Sequence, residues 1–143
     1  MNAETYLIQY QVLKTRAENY KARIEEAENV LRSIEMDGQP KGTKPGDPTQ
    51  DAALRILTLK ESYAMALADA EELCAEITAT LELMSNSKYK RLLYMRFIEG
   101  KPWSLVAKAL DVYRPGKEYE YKSVMGYMKR KALRELQEVL NEC

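Results

Sequence analysis

The sequence predicts an all-α protein: an N-terminal antiparallel helical hairpin of coiled-coil type, followed by a C-terminal helix-turn-helix module. Three observations lead there. Apolar residues recur in alternating steps of three and four over two long stretches, a segment rich in glycine and proline separates them, and beyond residue 85 short amphipathic segments replace that rhythm. The corresponding domains are residues 1–85, with a loop at 37–50, and residues 86–143.

In the first stretch the seam runs Ala3, Tyr6, Tyr10, Leu13, Ala17, Tyr20, Ile24, Ala27, Leu31 and Ile34, flanked by polar residues of mixed sign such as Lys14, Glu18, Lys21 and Glu25. A helix over Glu4–Met36 follows, about 50 Å long at about 1.5 Å per residue. The loop from Asp37 to Gln50, "DGQPKGTKPGDPTQ", holds three of the six glycines and three of the five prolines, so no helix crosses it. From Ala52 a second seam continues through Ile56, Leu59, Tyr63, Ala66, Ala70, Leu73, Ile77, Thr80 and Met84. Helices of matched length on such a loop bury both seams by folding back on each other. Leu57, Leu67, Cys74, Leu81 and Leu83 lie off the second seam and call for another partner, either the C-terminal module or a second copy of the chain.

After "SNSK", "KYKRLLYMRFIEG" reads as a helix stopped by Gly100 and Pro102, with Leu92, Leu93, Met95 or Arg96, Phe97 and Ile98 near its inner side. "PWSLVAKAL" gives a helix of two turns with Val106, Ala107 and Leu110 on one face. "DVYRPGKEYEY" contains the breaker pair Pro115 and Gly116, and "KSVMGYMKRKALRELQEVL" forms a last helix whose inward stripe is Met125, Met128, Ala132, Leu136 and Val139.

Composition narrows the function. A chain of 143 residues, 45% hydrophobic, has enough apolar material for a core. It shows no 18-residue apolar run and no charged-then-apolar leader, so neither a membrane span nor a signal peptide is expected and the cytoplasm is the expected compartment. Cys74 and Cys143 without any histidine make neither a zinc set nor a disulfide framework, and no metal or cofactor is expected. The lack of histidine also removes the commonest general base, and no phosphate-cradling glycine loop is present, so the chain reads as non-enzymatic.

A formal net charge of zero conceals a sharp asymmetry. Asp51 to Ser85 carries two cations against seven anions, while Lys88 to Arg134 carries thirteen cations against four anions. A basic block of that size suits a polyanion. Opposite the inward stripe of the last helix stand Lys122, Ser123, Gly126, Tyr127, Lys129, Arg130 and Arg134, clustered towards the helix start. Long cations there reach phosphates, Gly126 permits close approach, and Lys122, Ser123 and Tyr127 are placed for base edges in a groove about 12 Å wide. Arg114 and Lys117, in the preceding turn, would add backbone contacts. A short helix, a turn and a longer basic helix is the order in which the second helix reads the major groove.

"LLYMRFIEGKPWSLVAKAL" followed by "KSVMGYMKRKALREL" resembles the region 4 helix-turn-helix of bacterial sigma factors. The matching positions are Leu93, Arg96, Phe97, Gly100, Trp103, Val106, Ala107, Leu110, Met125, Met128, Ala132 and Leu136, over roughly Lys88 to Leu140. The pattern departs at Ser104 and Leu105, where an acidic residue is common, at Asp111, where glycine is usual, and in the longer segment from Val112 to Tyr121. With the "GQPKGTKPGDPTQDAA" loop between two long helices, the chain is similar to phage and prophage late transcription activators of the RinA and ArpU types. The resemblance implies a phage-borne regulator that binds double-stranded promoter DNA beside host RNA polymerase, with the coiled coil available for homodimerisation. The alternatives are a small terminase-like packaging protein, which would form a ring, and a coiled-coil adaptor that binds an acidic protein.

Overall fold

A computed structural model describes residues 2–36, 48–113, 115–116 and 118–142. Among them the structure is helical throughout, with no strand: α1 (Ala3–Met36), α2 (Pro48–Glu82), α3 (Ser87–Leu93) running into a π-helical turn (Tyr94–Ile98), α4 (Trp103–Ala109) and α5 (Glu118–Glu142). No described helix is long and apolar enough to cross a membrane. The two long helices form the expected hairpin. Of the loop expected at 37–50, residues 37–47 lie outside the described residues, whereas Pro48, Thr49 and Gln50 already belong to α2. Proline is at ease there because the first turn of a helix needs no N–H from it.

The chain divides into two compact units, Leu13–Ala70 and Met1–Val12 with Glu71–Cys143. The expected boundary after residue 85 marks the end of α2, but packing places the first turns of α1 and the last third of α2 in the same unit as the C-terminal helices.

In the Leu13–Ala70 unit the two seams meet. Ala17, Ile24, Ile56, Ala66 and Ala70 are buried, and Tyr20, Leu31, Leu59 and Tyr63 are half-buried. Lys60 of α2 pairs with Glu28 of α1 at 3.4 Å on the surface. The outer side of α2 stays open: Leu54, Leu57 and Met65 are 57%, 56% and 71% exposed.

In the other unit a single cluster joins Tyr6 and Leu7 of α1, Ile77 and Leu81 of α2, Leu92 and Leu93 of α3, Val106 and Ala107 of α4, and Met125, Ala132 and Leu136 of α5. The Tyr6 hydroxyl lies 3.2 Å from Thr80 Oγ1, across the seam. Leu81 belongs to this cluster, which includes the C-terminal helices, one of the two expected partners, and Cys74 packs against it. Leu83 remains exposed, as do Leu57 and Leu67 in the other unit.

The junctions are capped by short polar side chains. Asn2 Oδ1 accepts from the N–H groups of Glu4 and Thr5, and Asn86 Oδ1 accepts from those of Lys88 and Tyr89, satisfying donors that a helix start leaves orphaned. Glu135 of α5 accepts from Asn86 N–H at 2.9 Å, which ties α5 to the α2–α3 corner.

The helix expected over "KYKRLLYMRFIEG" changes character at Tyr94, where the Glu99 N–H reaches back to the Tyr94 carbonyl at 3.0 Å. Along this wider turn Met95, Phe97 and Ile98 are all buried, so the segment packs on more than one side. Arg96 is left at the edge, where its guanidinium donates to the Lys101 carbonyl at 3.1 Å and lies 4.9 Å from the Trp103 ring centre. The arginine thereby fixes the start of α4 against the π turn.

Helix α4 ends in a Schellman motif. The Val112 N–H bonds to the Ala107 carbonyl at 2.9 Å and the Asp111 N–H to the Lys108 carbonyl at 3.2 Å. Asp111 sits in the left-handed region at φ 59°, the backbone shape that makes glycine usual at this position. Aspartate tolerates that conformation better than a branched residue does. Asp111→Val is therefore expected to lower stability by about 1–2 kcal/mol, and Asp111→Gly to hold or raise it; thermal melts of the two variants check the ordering.

Candidate nucleic-acid interface

The long turn ends earlier than the sequence suggests. Helix α5 starts at Glu118, so the last residues of the 112–121 segment form its first turn and the basic cluster lies in its second to fifth turns. Glu120 is exposed in that first turn, where negative charge suits the positive end of the helix dipole. With 25 residues α5 is about 37 Å long at 1.5 Å per residue.

One side of α5 is held by the core: Met125, Met128, Ala132 and Leu136 are all buried, with Val139 half-buried, as the inward stripe requires. The opposite side carries Ser123, Tyr127, Arg130 and Arg134 in steps of four, three and four, all exposed, with Lys122 exposed beside them. Tyr127 is 52% exposed, and the Lys131 ammonium lies 5.5 Å from its ring centre. Seven of the nine residues expected to contact DNA therefore share one helix. Arg114 and Lys117 lie outside the described residues.

Lys129 departs from the expectation of a free cation. Its ammonium is 2.9 Å from Glu4 Oε1 at the start of α1 and 5.9 Å from the Trp103 ring centre, and its side chain is 32% exposed. The pair is anchored nearby, since the Ala3 N–H donates to Gln137 Oε1 at 2.9 Å. An ion pair this open to water contributes little to stability, under about 1 kcal/mol. Glu4 therefore holds the Lys129 ammonium only weakly.

Lys129 also borders a cleft of about 430 Å³ between the start of α4 and the first half of α5. Pro102, Trp103 and Ser104 form one wall, and Tyr121, Lys122, Met125 and Gly126 the other. A Cβ added at Gly126 would meet nothing within 4 Å, so close packing does not demand glycine there and the cleft stays open beside it. Elsewhere in this unit Lys88 and Arg91 on α3 are exposed, and the Lys108 ammonium on α4 lies 4.9 Å from the Tyr113 ring centre.

Sequence periodicity locates the exposed face of α5 but misses the Glu4 contact and the cleft. Glu4 and Lys129 are far apart in the chain, and no local pattern links them. Trp103 and Gly126 stand out in the sequence separately, one as a helix start and the other as a small residue; their shared cleft is a product of tertiary packing. No known family model, curated protein or solved structure matches the chain.

Proposed function

We propose that this chain is a DNA-binding transcription regulator of phage or prophage type that lays α5 in the major groove of promoter DNA and acts beside host RNA polymerase. The observation that carries the reading is the outward stripe Ser123, Tyr127, Arg130 and Arg134, with Lys122, on a helix whose other side is seated in the core. In this reading α4, the Asp111 turn and α5 act as a helix-turn-helix, in keeping with the resemblance to sigma factor region 4 and to the RinA and ArpU types of activator. Arg130, Arg134 and Lys122 take phosphates, while Ser123 and Tyr127 face base edges. The role is binding, with no catalytic step.

A fluorescence-anisotropy titration of labelled duplex DNA tests it. The logarithm of affinity should fall linearly and steeply with the logarithm of salt concentration, since each phosphate neutralised releases counterions. A flat response, or no binding at low salt, removes the proposal. Glu4→Gln is expected to raise duplex affinity a few-fold at low salt, because Lys129 no longer has an internal carboxylate to leave, with the melting temperature nearly unchanged.

The open side of α2 supports homodimerisation. Leu54, Leu57 and Met65 leave apolar side chains exposed along one side of the helix, and a second copy of the chain would cover them. Light scattering is expected to give a dimer for the native chain and a monomer for Leu57→Glu, whereas a ring of eight or more subunits would move the reading to DNA packaging.

A further inference from the structure

We infer that the cleft between α4 and α5 takes an unstacked nucleobase from single-stranded or opened DNA, stacked on Trp103, while the neighbouring cations hold the phosphates on either side. The inference rests on the proposed reading of α5 as a DNA-facing helix and adds which form of DNA the site prefers.

The lining is mostly apolar, with the Trp103 and Tyr121 rings and the buried Met125 forming its body and Lys122 and Lys129 standing at its edges. A duplex backbone has no use for such a space, because its phosphates and sugars seek charged and polar partners. A base drawn out of the stack is different. It offers a flat apolar face for an aromatic ring and carries a phosphate on each side, and single-strand-binding surfaces pair aromatic platforms with cations for that reason.

Trp103 is only half-buried, and it is already surrounded by positive charge, with Arg96 at 4.9 Å and Lys129 at 5.9 Å from its ring centre. Lys129 lines the cleft and Arg96 does not, so the arginine secures the ring while the lysine stands at the opening. The exposed Arg130 and Lys122 then continue the positive track along α5. An acidic peptide would satisfy the lysines, but its carboxylates do not supply the broad planar face that an apolar cleft walled by Trp103 and Tyr121 accepts.

Trp103 is the sole tryptophan, so its emission reports directly on the cleft. The test compares three probes on the full chain: an oligothymidylate, an abasic strand of the same length, and a duplex carrying a fluorescent label. Oligothymidylate should quench Trp103 and bind about tenfold more tightly than the abasic strand, the difference being the stacked base. Gly126→Leu should abolish the quench and reduce oligothymidylate to the affinity of the abasic strand, because the new side chain fills the cleft. Folding should survive this change, since a Cβ there meets nothing within 4 Å, the rest of the side chain faces the cleft, and leucine favours a helix over glycine. Circular dichroism checks it.

Equal binding and equal quenching by the two strands, or a Gly126→Leu protein that still distinguishes them, overturns the inference. Duplex binding without any base-dependent quench overturns the cleft and leaves the proposed function standing. Base-dependent quenching without duplex binding does the reverse.

Discussion

Leu136→Ala is expected to destabilise the protein by about 3–5 kcal/mol, a large share of the roughly 5–15 kcal/mol that holds a typical domain together. Leu136 is fully buried in the cluster that joins α1, α2, α3, α4 and α5, so truncation both reduces apolar burial and leaves a cavity that helices from several parts of the chain must collapse to fill. Val139, one turn further along the same stripe, is only half-buried, and Val139→Ala should cost well under half as much. Urea denaturation followed by circular dichroism measures both. A Leu136→Ala protein as stable as the native one would mean that α5 is not seated in this core, and the exposed face assigned to it would lose its basis. Duplex affinity should fall with stability in Leu136→Ala but remain near the native value in Val139→Ala, which ties the effect to the scaffold rather than to the DNA-facing groups.

What is legible in the sequence is what periodicity can encode. Each position of the two long seams is buried or half-buried where described, because steps of three and four put those residues on one helix face wherever the partner lies. The stripe of α5 is legible for the same reason. Leu7 is not: it lies one residue beyond Tyr6 on the seam, and its complete burial is shared with Leu92, Leu93 and Leu136, residues far along the chain. Off-seam leucines of α2 look alike in sequence, yet Leu81 is buried while Leu57 and Leu67 are exposed, a difference set by which elements pack nearby. The π turn escapes as well, since a change of helical pitch at Tyr94 is not announced by residue types alone; of the ambiguous pair, Met95 is buried while Arg96 stays at the edge, donating to the Lys101 carbonyl. At the site, the cations of α5 can be read and the restraint on Lys129 cannot, because its partner Glu4 belongs to the opposite end of the sequence.

Replacing Lys122, Arg130 and Arg134 together by glutamine should weaken duplex binding at every sequence tested and lower the slope of log affinity against log salt by about 2.7, or about 0.9 for each phosphate no longer neutralised. Across a fourfold change in salt, that slope difference corresponds to about a 40-fold smaller drop in affinity than the native chain suffers. All three side chains are exposed, so the substitutions leave the core untouched, and the melting temperature should change little. Ser123→Ala and Tyr127→Ala make the contrasting pair. If those residues face base edges, removing them should leave the salt slope in place and reduce discrimination between DNA sequences, by about 1–3 kcal/mol for a well-placed side chain. The two classes of variant therefore separate grip from reading. A triple variant with the native slope would show that the phosphates are held elsewhere, with Lys88 and Arg91 on α3 as the next exposed cations to replace. A slope reduced by only one unit would mean that a single member of the stripe touches the backbone, and that α5 crosses the groove at a steeper angle than a helix lying along it.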